Sequence, residues 1–254
     1  IEMEKIIIYQ VFTRLFGNSK PTSVYNGSLQ ENGCGKMAGF TNQALQEIKK
    51  LGTTHIWYTG VIAHATQTDY TAYGIPRNHP SIVKGKAGSP YAIRDYYDVD
   101  PDLAVNVNQR MKEFETLIER THANRLKVII DFVPNHVSRQ YQSLAKPRRV
   151  KDLGETDNPN IAFSPDNNFY YIPGQKLEGE IDLHNESMGD YYESPAKATG
   201  NNRFDAYPNR NDWYETVKLN YGTDYIHNTG NHFSPIPDTW HKMKDILLFW
   251  AGKG

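Results

Sequence analysis

The chain has 254 residues, 38% hydrophobic and 22% charged, with a formal net charge of −1. This composition supports a folded core of domain size and excludes a disordered chain, and the charge does not support a broad nucleic-acid surface. The single cysteine, Cys34, excludes an internal disulfide and a cysteine-based metal site, and no run approaches the roughly eighteen apolar residues of a membrane span.

The opening Ile1-Glu2-Met3-Glu4-Lys5 is acidic and runs straight into a strand-like stretch, unlike a secretory leader; the compartment is left open. Lys5–Phe12, rich in β-branched and aromatic residues, reads as a buried strand. A Gly- and Asn-rich loop follows from Gly17 to Gly39. Thr41 then caps a helix running to about Lys50, with Ala44, Leu45, Ile48 and Leu51 at helical spacing and Gly52 as its stop. Thr54–Thr59 reads as the second strand. A long polar segment from His64 leads to a helix capped by Asn106 or Asn108, with Met111, Phe114, Leu117 and Ile118 on its apolar face. Leu126–Val133 is the third strand, nearly all apolar up to Asp131, as expected of a parallel strand buried on both faces.

Alternating strands and helices imply βαβ units around a parallel sheet. From Val137 to about Ile236 the periodicity disappears, and a loop of that length predicts a small irregular subdomain. Pro237-Asp238 starts a last helix with Trp240, Met243, Ile246, Leu247 and Trp250 on one face. An eight-stranded barrel needs about 250 residues even without insertions. The expected fold is therefore α/β: the N-terminal portion of a (β/α)8 TIM barrel, with a long irregular subdomain inserted after strand three. The expected organisation is 1–136 for the first three β/α units, 137–236 for the inserted subdomain and 237–254 for the third barrel helix.

The sharpest local signal is Asp131-Phe132-Val133-Pro134-Asn135-His136, where polar residues appear abruptly at the C-terminal end of a strand. In parallel α/β folds that edge binds ligands. Asp131 can accept hydrogen bonds, Asn135 can offer an oxygen to a metal, and His136 can donate to a sugar hydroxyl. The segment DFVPNH resembles the first conserved region of glycoside hydrolase family 13, the α-amylase family. In matching order, IIIYQVFTRLFG resembles the family's first strand, Tyr91–Ala104 its segment before the second helix, and Val217–Gly222 its short motif near the end of the inserted subdomain. The closing helix resembles the third helix of the barrel. Val217 departs from the family, where many members have Pro.

The resemblance implies a retaining hydrolase of α-glucosidic bonds in starch-like glucans or malto-oligosaccharides, while the near-neutral charge and the short apolar runs lead to the expectation of no nucleic-acid and no membrane partner. A transglycosylase of the same family, or a non-catalytic sugar-binding or structural relative, is the alternative. By resemblance, Tyr91 matches the aromatic that stacks on the sugar in the cleavage subsite, and His136 the histidine that hydrogen-bonds that sugar. Asp131 matches a structural aspartate at the strand end. Asn135 and Asn220 match candidate calcium ligands, although calcium takes six to eight oxygens and only these two are nominated. Asp98, Asp100 and Asp102 alternate, but they lack the glycine and terminal glutamate of a calcium loop and read as solvated loop. A retaining glycosidase needs a nucleophile and an acid about 5 Å apart. In the family these follow strands four and five, so they are expected after Gly254, and neither Asp212 nor Asp224 is promoted into either role. The chain alone is expected to be inactive and to self-associate through open sheet edges.

Overall fold

A computed structural model describes residues 3–254. The chain forms two compact units. The first holds the chain up to Ala63 together with Asp98–Phe132 and Trp250–Gly254; the second holds His64–Tyr97 and Val133–Phe249. The long polar segment after the second strand thus joins the irregular region, a grouping that the sequence boundaries at 136 and 237 do not anticipate.

In the first unit, strands β1 (Ile8–Phe12), β2 (His55–Thr59) and β3 (Lys127–Ile130) form one sheet in the order β1-β2-β3. Both pairings are parallel, with Ile8 opposite His55 and His55 opposite Lys127, as the alternating pattern predicts. Ile56 and Tyr58 of the central strand are fully buried. The outer strands are not: Ile8 is 50% exposed, and Val128–Ile130 are only half-buried. The expectation of a third strand buried on both faces therefore fails. β3 is an outer strand here, and among the described residues no strand pairs with its free edge.

Helix α1 (Asn42–Lys50) starts where Thr41 accepts a hydrogen bond from the Ala44 amide, and Gly52 follows its end at φ +84°. It buries Leu45 and Ile48, while Leu51, counted on the same face from sequence, is exposed because it lies past the last turn. Asn106 caps a short 3-10 turn that feeds helix α2 (Arg110–Ala123), which buries Phe114, Leu117 and Ile118. Tyr58 reaches α2 through a 2.7 Å hydrogen bond to Thr121.

The alternating aspartates are not solvated loop. Asp98, Asp100 and Asp102 are all buried. Asp98 receives both Nε and Nη2 of Arg110 at 2.8 Å, Asp100 caps the Asp102 amide, and Arg14 reaches Asp102 at 3.1 Å. Alternating charge in a sequence reads as solvated surface because the partners, here Arg14 and Arg110, come from elsewhere in the chain.

In the second unit, β4 (His136–Ser138) pairs antiparallel with β5 (Thr216–Lys218), placing His136 opposite Lys218. Two-residue ladders join Tyr171–Ile172 to Ala196–Lys197 and His184–Asn185 to Gly189–Asp190. A small core of Ile172, Leu177, Ala196 and Ala206 lies within this region. Helix α3 (Asp238–Ala251) buries Met243 and Ile246. Trp240 and Leu247, assigned to the same apolar face from sequence, are 41% and 49% exposed. Trp240 donates its indole N–H to the Tyr221 carbonyl, which holds the ring beside the loop. Among the described residues no helix is long and apolar enough to cross a membrane.

Candidate functional site

The polar residues at the end of β3 divide between the two units. Asp131 belongs to the first, where its Oδ1 accepts the Gly60 amide at 3.0 Å. Gly60 follows β2 at φ +82°, a conformation that strongly favours glycine. Asp131 thereby ties the turn after β2.

Asn135 and His136 belong to the second unit, and there every polar atom of the Asn135 side chain is engaged. Its Nδ2 donates to His136 Nδ1 at 3.0 Å and to the Gly200 carbonyl at 3.1 Å. Its Oδ1 accepts from Lys218 Nζ at 3.2 Å. An amide nitrogen can only donate, so His136 Nδ1 accepts and the ring proton of the neutral imidazole resides on Nε2.

His136 is 5% exposed. Burial lowers its pKa to about 4; the Tyr91 backbone pulls the other way, and the Lys218 charge adds to the depression. The ring is therefore neutral at pH 7. Its buried Nε2 faces the Tyr91 backbone, whose hydrogen bond with the ring falls short of ideal geometry. The Trp213 ring packs against the imidazole at 4.2 Å between centroids, and its indole N–H is held by Glu215. Gly200 closes the wall. A Cβ there would run into the Thr216 hydroxyl and come within 3.0 Å of His136 Cβ, so a side chain at 200 would have to displace Thr216 and would crowd the histidine.

The fold thus brings two expected site residues together, since the Tyr91 backbone acts directly on the His136 ring. Tyr91 sits two residues before the strand Ile93–Val99, and Ser89 Oγ accepts its amide at 3.3 Å. Trp213 and Gly200 carry no local sequence signal. They lie within the region of lost periodicity, where spacing predicts nothing about approach to His136.

The two candidate calcium ligands do not fit a metal site. The Asn135 oxygen already takes the Lys218 ammonium. The Asn220 oxygen takes the Gly222 amide at 2.8 Å, and its Nδ2 donates to the Ser164 carbonyl. Among the described residues no group of three or more His, Cys, Asp or Glu could hold a metal ion. The Lys218 amine, whose pKa burial lowers, is the cation at this place.

Comparison with known proteins places this geometry in context. The sequence model described as "Alpha amylase, catalytic domain" matches residues 10–243. The oligo-1,6-glucosidase of Heyndrickxia coagulans is 25% identical over 194 residues, which cover 74% of this chain and 28% of that protein. Maltase A1 of Drosophila melanogaster is 24% identical over 250 residues, 97% of this chain and 32% of that protein. The crystal structure of an α-amylase from Lactobacillus plantarum superposes with a TM-score of 0.50 at 23% identity, over 97% of this chain and 35% of that one. The chain therefore spans about a third of the length of these relatives, and the structural likeness carries the TIM-barrel fold.

Proposed function

Since the chain belongs to the α-amylase family of glycoside hydrolases, we propose that it forms one wall of the sugar cleft of a retaining enzyme acting on α-glucosidic bonds of starch-like glucans or oligosaccharides. One observation carries this reading: His136, buried and neutral at pH 7, lies between the Tyr91 backbone, which hydrogen-bonds its ring, and the Trp213 ring, 4.2 Å away between centroids. A sugar hydroxyl is a fitting acceptor, and Tyr91 and Trp213 are aromatics whose flat faces suit the C–H surface of a glucose ring. In this reading His136 orients the sugar by hydrogen bonding and carries no proton through the reaction.

The 254 residues alone are proposed to bind malto-oligosaccharide and to hydrolyse none. Retaining chemistry needs a carboxylate nucleophile and a protonated acid about 5 Å apart. Asp212 and Asp224 are already committed. Burial would raise the Asp212 pKa, but the Asn209 amide, Asn201 and Arg203 bring it down. Burial likewise acts on Asp224, and the His227 and Ile226 amides and the Thr229 hydroxyl overcome it. Groups held ionised in this way cannot serve as the acid. The free edges of β1 and β3, with Ile6 and Ile8 exposed, support self-association of the isolated chain.

Titration with maltoheptaose, followed by tryptophan fluorescence, tests the binding wall. Weak saturable binding is expected, with affinity reduced about fivefold or more in His136→Ala, the worth of one hydrogen bond. Unchanged affinity in His136→Ala, or no binding at all, would overturn the reading. Reducing-end release from soluble starch, followed in parallel, should stay at background.

A further inference from the structure

A second polar cavity in the same unit shares no lining residue with the Tyr91–His136 wall. Pro76, Arg77, Asn78, Arg94, Gln140 and Gln142 line a space of about 100 Å3. Two guanidinium groups are present and no carboxylate. Arginine has five N–H donors, no acceptor, and keeps its charge at any ordinary pH.

The amides sharpen the asymmetry. Asn78 Oδ1 accepts the Thr66 amide at 3.2 Å, and Gln140 Oε1 accepts the His79 amide at 2.7 Å. A backbone N–H must meet an oxygen, so chemistry fixes the orientation of both side chains. Each has spent its oxygen on the backbone and keeps an NH2 group as its remaining polar function. The Gln142 amide bonds the Arg94 carbonyl at 3.1 Å, which ties the chain after β4 to the strand Ile93–Val99. Arg77 Nε is buried with no hydrogen-bond partner among the described residues. Its pull on the nearby Asp69 is minor, because hydrogen bonds from Thr71 dominate the acidity of that exposed carboxylate.

We propose that this cavity is a binding site for a small tetrahedral oxyanion of the phosphate or sulfate class. The lining offers N–H donors from Arg77, Asn78 and Gln140 beside the Arg94 guanidinium, and its one side chain with an uncommitted acceptor is Gln142. A neutral sugar needs both kinds of partner at each hydroxyl and would be matched poorly. An anion needs donors alone, and charge-assisted hydrogen bonds to guanidinium are among the stronger kinds. The volume suits one oxyanion and excludes a chain of sugars.

Calorimetric titration of the protein with sodium phosphate, against sodium chloride at equal ionic strength, tests this. Saturable binding is expected with phosphate and not with chloride. Arg77→Gln, at a half-buried position, should weaken it at least tenfold. Gln140→Glu keeps an oxygen for the His79 amide but sets a carboxylate in the cavity. It should abolish phosphate binding and raise the melting temperature in phosphate-free buffer, and that rise also shows that the variant folds. Glucose 6-phosphate in a parallel titration separates the sources. Binding of inorganic phosphate alone identifies a free anion, and comparable binding of both identifies a phosphate carried on a sugar. No saturable phosphate binding, or equal affinity in the wild type and Gln140→Glu, would overturn the proposal. Neither result bears on maltoheptaose binding at His136.

Discussion

Lys218 places its ammonium nitrogen 3.2 Å from the side-chain oxygen of Asn135. That contact puts a fixed side-chain charge on the atom that a calcium ion would otherwise claim. It also leaves Asn135 free to aim both N–H bonds, one of them at His136 Nδ1, and so sets which ring nitrogen carries the proton.

The fold is accordingly expected to be indifferent to calcium at this place. Melting temperatures with EDTA and with millimolar calcium should coincide. Lys218→Ala should destabilise by about 1 kcal/mol, because it removes the hydrogen bond to the Asn135 oxygen, which water can partly replace on that exposed residue. A rise in melting temperature with calcium in the unmodified chain would contradict the assignment.

Acid should weaken the fold through His136. The folded ring stays neutral down to about pH 4, against an ordinary value of 6.5. Between those values the unfolded chain binds a proton that the folded chain refuses, so stability falls as pH drops through that window. The loss approaches about 3 kcal/mol by pH 4. Urea denaturation at pH 7 and pH 4.5 should show this loss in the parent chain and a smaller one in His136→Gln.

Breaking the buried pair of Asp98 and Arg110 should be costly. Asp98→Ala leaves Arg110, 18% exposed, without its bidentate partner. The expected loss is about 3 kcal/mol, the lower part of the range for breaking buried pairs. Denaturant midpoints measure it. A change within experimental error would mean that the aspartate run behaves as solvated surface after all.

Gly200→Ala should damage the wall around His136 more than its size suggests. Its Cβ runs into the Thr216 hydroxyl and presses on the Cβ atoms of Thr216 and His136, so Thr216 must move and the histidine give way slightly. A cost of about 1–3 kcal/mol is expected for such overpacking. Maltoheptaose affinity should fall with it. Retained affinity with lowered stability would place the sugar contact away from the Gly200 side of the imidazole.

No contact was legible in the sequence, yet the elements whose causes are local were. Strand-length β-branched runs, the Thr41 cap and the Gly52 stop predict β1, α1 and β2 and their parallel alternation, since periodicity and capping depend on residues within a few positions of each other. The six residues from Asp131 to His136 announce a ligand-facing strand end for the same reason. Burial was beyond reach wherever a partner lies far along the chain. Asp98, Asp100 and Asp102 read as loop until Arg14 and Arg110 arrive, and Trp240 and Leu247 read as core until the surface around α3 is known.

By itself, then, the sequence determined the α/β class, the order of the strands and the family, because hydrophobic period and short motifs survive without coordinates. Only the tertiary structure decided what His136 can do. Its tautomer depends on Asn135, its neutrality on burial, its packing on Trp213 and Gly200, and the cation beside it on Lys218. These groups lie up to 83 positions apart in the chain, and electrostatics and hydrogen bonding act through space rather than along the sequence.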